Sequence, residues 1–420
     1  MRAGVVELRD SPDAFAGSPT VVDWLSGCEP GSSRVRARAV LGSTLPGIGG
    51  RPLSSEAHLP APLVISIRLA TGEYERWLGR QVPLLKADLR RKHERMRADP
   101  FSLLRATFYR WVQWHDELLT DLHQMPEVLA VGDLHLENFG TWRDAEGRLV
   151  WGINDFDEAA TLPFPNDLVR LATSGALARA MRRLRLRVRD VCEAVLLGYR
   201  DGLESGGESF VLDDKHGWLR RTAMNDLRDP VRFWRKLRGR ATEPARVPHA
   251  VRAALIALLP PGTEALRIVH RVAGLGSLGR PRFLALGRWR HGWIAREARP
   301  LAASAVQWAR ALPGRSPAYQ VLLTRSIRTP DPFVRVEGRW LLRRLAPDCA
   351  RIELESLPKR YDEYRLLHAM GWETANIHLA SRRPAALLAS LKRLGSDWLP
   401  HAVERMAAAL REDWEAWRSA

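Results

Sequence analysis

The chain has 420 residues, 45% hydrophobic and 27% charged. This is the balance of a soluble globular protein with a sizeable core, divided into two or three structural units. Its 65 basic and 48 acidic residues give a net charge of +17. That favours anionic partners such as nucleotides, nucleic acid or phospholipid head groups, although a GC-rich coding sequence yields the same arginine excess with no selected partner. Cys28, Cys192 and Cys349 are far apart and form no CxxC pair, and the 12 His show no HExxH and no pairing with cysteine, so neither a disulfide framework nor a zinc site is indicated. No apolar run reaches the roughly 18 residues of a membrane span. Residues 1–20 have no hydrophobic signal region, so a cytoplasmic, reduced protein is expected.

In chain order, residues 1–70 are rich in Gly, Pro and Ser and predict a flexible leader. From 73 to 123 the apolar residues recur at helical spacing, through Tyr74, Trp77, Leu78, Val82 and Leu85, then Phe108, Trp111, Trp114, Leu118 and Leu122. Asp99-Pro100 divides two helices, because proline disfavours the α conformation in the residue before it. Residues 128–131 and 149–153 predict two strands, joined partly through a turn at 144–147. Asn166 or Asp167 is placed to cap the next helix. A long helical pattern then runs to Gly202, with six arginines between Arg179 and Arg189 opposite an apolar stripe. These predict a solvated face, with nucleic-acid contact as the sharper alternative. Short basic helical pieces follow from 205 to 262. Strands are predicted at 266–272, 282–286, 292–295, 340–345 and 350–354, and helices from 361 onward.

Two acidic segments carry chemistry. In Val131-Gly132-Asp133-Leu134-His135-Leu136-Glu137-Asn138, Asp133 precedes Asn138 by five, the spacing of a kinase catalytic loop. Asp133 suits a group that accepts the proton of an attacking hydroxyl, and Asn138 suits a neutral metal ligand. His135, inside the loop, orients its backbone or binds phosphate. Taken alone, the loop reads better as an Asx-rich turn between two strands, and the second acidic segment is what favours a metal site. Asp155 follows the second strand, with Asp157 and Glu158 beside it. Three acids in four residues repel one another, and a divalent cation relieves this. Asn138, Asp155 and Asp157 are therefore the candidate metal ligands.

A third element is Gly274-Leu275-Gly276-Ser277-Leu278-Gly279, a GxGxxG between two predicted strands. Gly274, Gly276, Ser277 and Gly279 suit a loop whose backbone N–H groups approach phosphates. A dinucleotide site needs a helix directly after such glycines, and a strand is predicted instead. One strand later, Arg296 stands where a phosphate-pairing cation is expected, although its fork differs from an ammonium. Glu337 is a candidate partner for that cation.

The runs VGDLHLENFG, INDFDEA, NDLVRLATS, VAGLGSLG and IAREARP resemble the bacterial domain-of-unknown-function family twenty-two fifty-two, over roughly residues 85 to 380. That family is grouped with protein-kinase-like and aminoglycoside-phosphotransferase-like folds. The resemblance implies a kinase-like core with Asp133 as catalytic carboxylate and Asn138 and Asp155 as metal ligands. It also implies that Asp167 braces the catalytic loop and that Arg105 belongs to the segment leading into it. Val131 and Arg296 depart from the pattern, standing where a histidine and a lysine are usual.

The catalytic loop precedes the glycine loop, the reverse of the kinase order. The expected fold is therefore α+β and two-lobed, protein-kinase-like and circularly permuted, with a mostly helical large lobe and a small antiparallel-sheet lobe. The expected units are a leader (1–70), a helical large lobe (71–262), a glycine-loop lobe (263–355) and C-terminal helices that rejoin the large lobe (356–420). The expected function is ATP- and Mg2+-dependent transfer of phosphate to an unidentified small-molecule acceptor. The alternatives are a nucleotide-binding regulator without turnover, a nucleic-acid-binding protein, and nucleotidyl rather than phosphoryl transfer.

Overall fold

A computed structural model describes residues 65–223, 229–240, 246–313, 318–349 and 360–419. The predicted leader up to residue 64 and the predicted strand at 350–354 lie outside them. The described chain is α+β, built from helices and antiparallel sheets. Among the described residues, no helix is long and apolar enough to cross a membrane.

Four helices open the described chain: α1 (Ile67–Gly79), α2 (Lys86–Met96), α3 (Pro100–Ala106) and α4 (Phe108–Leu118). The side chain of Asp99 caps α3 by accepting from Ser102 N at 2.6 Å, and Pro100 takes the first helical position, where its missing N–H costs nothing. The strands β1 (Glu127–Ala130), β2 (Phe139–Arg143), β3 (Leu149–Ile153) and β4 (Ala160–Pro163) follow. The predicted turn closes the β2–β3 hairpin, with Gly147 N donating to Asp144 O at 3.1 Å. β1 pairs antiparallel with β4. The Asp133 loop leaves β1, and the Asp155 segment joins β3 to β4, so both emerge beside the same strands.

The helix expected to run to Gly202 is two helices, α5 (Pro165–Ala180) and α6 (Val188–Glu204). Arg182, at φ +59°, turns the chain between them. Most of the arginine run therefore lies in a connection instead of on a helix face. Nor does Asn166 or Asp167 cap α5: both sit inside its first turn, after the N-cap Phe164. Asp167 is buried and turned toward the loop after β1.

Beyond β5 (Phe210–Val211), which pairs with β3, come α7 (Gly217–Ala223), α8 (Pro230–Arg240) and α9 (His249–Ala257). The chain then forms β6 (Glu264–His270), β7 (Phe283–Trp289) and β8 (Gly292–Pro300), followed by α10 (Ala305–Ala309), α11 (Tyr319–Arg325), β9 (Arg335–Glu337) and β10 (Trp340–Leu345). These strands make one antiparallel sheet in the order β6-β7-β8-β10-β9. One face packs Ala285, Ala298 and Leu342 against Val251 and Leu255 of α9. The other packs Leu284, Leu286, Ala295 and Leu345 against Leu237 of α8. Although expected in the helical lobe, α8 and α9 thus cover the two faces of this sheet, because bare sheet faces of this composition need apolar partners.

The C-terminal helices α12 (Arg360–His378), α13 (Pro384–Leu394) and α14 (Trp398–Arg418) share the largest apolar core with α4, α5 and α6. Asp413 of α14 ties this end of the chain to α4. It accepts from Arg110 Nε at 2.8 Å and from Trp114 Nε1 at 2.6 Å.

Candidate active-site cleft

A cleft of about 1090 Å3 is lined by the Asp133 loop, the Asp155 segment, the glycine loop and parts of α2, α3 and β7. Its floor is set by Asp167. The carboxylate accepts from Val131 N at 2.7 Å and from Gly132 N at 3.0 Å. His378 Nε2 reaches the same carboxylate at 3.2 Å. Two adjacent backbone N–H groups held by one buried acid leave the start of the loop little freedom.

Asp133 follows directly. Its Oδ1 accepts from Arg170 Nε at 3.1 Å, and Arg170 Nη2 bonds the same oxygen. Arg170 is fully buried between the rings of Phe108 and Trp111, and Nη2 also donates to Leu104 O at 2.8 Å. Burial pushes the Asp133 carboxyl up to about 6, against the opposing pull of Arg170. A carboxyl in that range exchanges a proton readily near neutrality.

His135 caps the short turn Leu136–Asn138: its Nδ1 accepts from Glu137 N at 3.1 Å, and its carbonyl accepts from Asn138 N at 2.9 Å. It thus shapes the backbone that carries Asn138. The Asn138 carbonyl accepts from Asn154 N at 3.0 Å, which joins the two acidic segments. Oδ1 of Asn138 and Oδ1 of Asp157 are buried without a hydrogen-bond partner. Orphaned buried oxygens of this kind are suited to a cation, so the residues present fit a hard divalent ion.

Arg299 faces these acids from β8, donating to Asp155 Oδ1 at 3.0 Å and pairing with Asp157. Asp155 lines the cleft with its side chain 39% exposed. Burial opposes its ionisation, but Arg299 holds its carboxyl below the usual carboxylate range. Asp157 is pushed up, by burial first and then by the Asp155 charge beside it. Glu158 accepts from Arg280 Nη2 at 3.3 Å and from Ala305 N at 2.7 Å, and burial raises it to about 7.

The glycine loop crosses the cleft mouth between β6 and β7. Leu275 and Leu278 are buried with Ile67, Met96, Leu103 and Trp417, which fastens the loop to α1, α2, α3 and α14. Gly279, at φ +101°, accepts at its carbonyl from Leu85 N at 2.7 Å, and a side chain there would overlap Leu89. A Cβ at Gly276 would lie 3.0 Å from Arg105 O and 3.4 Å from Asp133 Oδ2. The tight contact is with the Arg105 backbone, while Asp133 Oδ2 stands at ordinary contact distance from the loop. Gly274, at φ +75°, begins the crossing, and Ser277 Oγ accepts from Arg282 Nη2 at 2.7 Å. Arg105 pairs with Glu137 at 2.7 Å under the same loop.

Two expected members stand elsewhere. Arg296 lies on the opposite face of β8, donating to Leu258 O at 3.0 Å and stacking on Phe333. Side chains alternate along a strand, so Glu297 and Arg299 face the cleft side and Arg296 cannot. Glu337 ends β9, an edge strand, and lies 3.9 Å from Arg335 rather than in the cleft. It is not on a helix and has no contact with Arg296.

Two residues at the cleft or behind its wall, Glu297 and Lys92, carry no recognisable sequence motif. Glu297 is fully buried and paired with Arg271, Arg282 and Arg343. Burial would raise its carboxyl, but these guanidiniums hold it well below the usual range. Lys92 of α2 is 3% exposed, with Nζ 3.4 Å from Gly276 O. Burial lowers its ammonium from the ordinary lysine value. The one available signal was helical spacing, since Asp88, Lys92 and Met96 fall every fourth residue on the buried side of α2.

A family model described as "Uncharacterized protein conserved in bacteria (DUF2252)" matches residues 84–232. The chain is similar to that family over α2 to the start of α8, which holds Arg105, Asp133, His135, Asn138, Asp155, Asp157 and Asp167. The glycine loop and Arg299 lie beyond the match, and the expected reach to about residue 380 is not matched. No curated protein and no solved structure matches the chain.

Proposed function

We propose that the cleft is an ATP- and Mg2+-dependent phosphotransferase site acting on a small hydroxyl-bearing acceptor. The fold would then be a circularly permuted, two-lobed, protein-kinase-like arrangement, in which the sheet lobe supplies the glycine loop and the helical lobe supplies the acids. One observation carries the reading: Gly276 comes against Asp133, although 143 residues of sequence separate the glycine and acidic motifs.

In this reading Asp133 receives the proton of the acceptor hydroxyl at Oδ2, while Arg170 on Oδ1 fixes the carboxylate's orientation. Asn138 and Asp155, with Asp157 beside them, would hold the metal, which when bound offsets charge on the nucleotide phosphates. Lys92 and the backbone of residues 274–279 bind phosphate oxygens. Arg280 and Arg282 add positive charge at the same wall. The buried Leu275 and Leu278 hold the loop closed over the site and limit water.

A second reading is a nucleotide-binding regulator without turnover. Arg299 favours it, because it pairs with Asp155 and Asp157, the acids a metal would use. Titration of the purified protein with ATP, with and without Mg2+, followed by acceptor screening, separates the two. Mg2+-dependent binding with phosphate transfer lost in Asp133→Asn supports the transferase. Binding without transfer to any acceptor, and without ATP turnover, supports the regulator. No binding under either condition would overturn both.

A further inference from the structure

The end of α4 carries His115 and Asp116, and the turn Thr120–Leu122 returns His123 beside them. The two imidazoles stack with centroids 5.8 Å apart and planes 24° from parallel. Asp116 Oδ1 lies 3.6 Å from His115 Nδ1 and 3.7 Å from His123 Nε2. One ligand atom from each residue falls within 4.8 Å of the other two. His115 is 1% exposed, yet both its ring nitrogens lack a hydrogen bond, as does His123 Nε2.

Buried ring nitrogens ordinarily have partners; of these, His115 Nδ1 and His123 Nε2 converge on Asp116 Oδ1 without a hydrogen bond. The Arg310 guanidinium already grips Asp116 at 2.8 and 2.7 Å. A transition-metal ion takes a lone pair from each imidazole and so satisfies both converging nitrogens. Two imidazoles and a carboxylate form a donor set suited to zinc. With bonds near 2.0–2.1 Å, tetrahedral ligand atoms stand about 3.3 Å apart, so the two contacts to Asp116 need to close by only a few tenths of an ångström. Arg310 orients the carboxylate from behind, as outer partners of metal ligands do. The side chains of His123 and Asp116 are 32% and 30% exposed, which gives an ion a way in.

We propose that His115, Asp116 and His123 bind a zinc-like divalent cation at a site separate from the acidic cleft. Three protein ligands leave the fourth position to water. Arg310 caps α10, and Ala305 at the other end of that helix donates to Glu158. A cation at this site therefore braces α10 against α4, one helix away from the cleft acids.

The test uses the full chain, stripped with a chelator and returned to buffer with excess Mg2+ to fill oxygen-rich sites. Co2+ is titrated alone and followed by visible absorption. One equivalent giving the strong band of a four-coordinate ion, displaced by Zn2+, is the expected result. His123→Gln should weaken Co2+ binding at least about 100-fold, the upper range for losing even an outer partner, and leave the melting of the metal-free protein unchanged. Asp116→Asn should weaken it as well. Absence of the band in the wild type, or unchanged binding in both variants, would overturn the proposal.

Discussion

Gly276 and Asp133 face each other so closely that a single methyl group on the glycine would stand 3.4 Å from Oδ2 of the acid. The glycine loop is thus a fastened strap, its position set by Leu275 and Leu278 in the apolar cluster below it. Gly276→Val should therefore leave the melting temperature within a few degrees but reduce phosphate transfer by at least about tenfold. The larger side chain must displace Asp133 or lift the strap, and misplacement by 1 Å costs on the order of 100-fold. Steady-state kinetics beside a thermal melt checks this. Full activity in a folded Gly276→Val protein would remove the strap from the mechanism.

The protonation of Asp133 makes a pH prediction. Its carboxyl stands near 6, with burial raising it and Arg170 pulling it down. In the proposed reaction the charged form accepts the hydroxyl proton, so transfer should rise as pH increases through about 6. Replacing Arg170 by Met removes the downward pull, and the acid limb should move to higher pH. A shift of one unit lowers the rate at pH 6 by about fivefold to tenfold while leaving the plateau closer to wild type. The pH profile of kcat/KM reads this directly, and an unmoved limb would assign the titration to another group.

Arg296 and Arg299 separate cleanly because they occupy opposite faces of β8. Arg296→Lys should leave Mg·ATP affinity within about twofold, since its side chain bonds Leu258 O on the far side. Arg299→Leu leaves Asp155 without its paired cation and Asp157 with Arg280 alone, 3.5 Å away. Removing one partner of a buried pair costs on the order of 3 kcal/mol, and Mg2+ should restore part of that loss. Calorimetry and thermal melts in both variants, with and without Mg2+, test the contrast. A large loss of affinity in Arg296→Lys would contradict the placement of the two faces.

Glu373 gives a stability prediction outside the cleft. Burial raises its carboxyl from the usual 4.5 to about 7, though it accepts from Ile153 N at 3.1 Å and Asn376 Nδ2 at 2.8 Å. With the folded-state value raised, the folded protein holds an extra proton between those limits. Its contribution to stability is complete below 4.5 and is lost as pH rises through 7. Glu373→Gln cannot titrate, so its unfolding free energy should decline less steeply than wild type between pH 5 and 8. Denaturant melts across that range measure the slope, and equal slopes would show that Glu373 keeps an ordinary value.

Much of the site was legible because its signals are local. Asp133, His135 and Asn138 share one loop, and Asp155 ends the hairpin that follows, so spacing along a short stretch of backbone sets their approach. The glycine loop was legible as a turn between strands. Its destination was not, since Leu275 and Leu278 find Met96 and Trp417 only through packing across the whole chain. The arginine in IAREARP was misjudged by three positions. A period of two shows that Arg296 and Arg299 point apart, but not which face α9 covers and which meets the acids. Lys92 was hidden for a related reason: charge on a helix reads as solvated until something is laid over it. His115 and His123 showed no metal-binding spacing, because a turn after α4 brings them together.

The sequence by itself determined the chemical types and the local frames: the acids and amide on two linked loops, the glycines of the strap, and the alternation along β8. Tertiary structure alone decided the partners, by laying residues 274–279 over Asp133, turning Arg299 rather than Arg296 toward Asp155, and burying Lys92 beneath Gly276. Backbone periodicity acts over a few residues and is written in their order. Burial and ion pairing arise between distant segments, and they take their values only when the apolar cores bring those segments together.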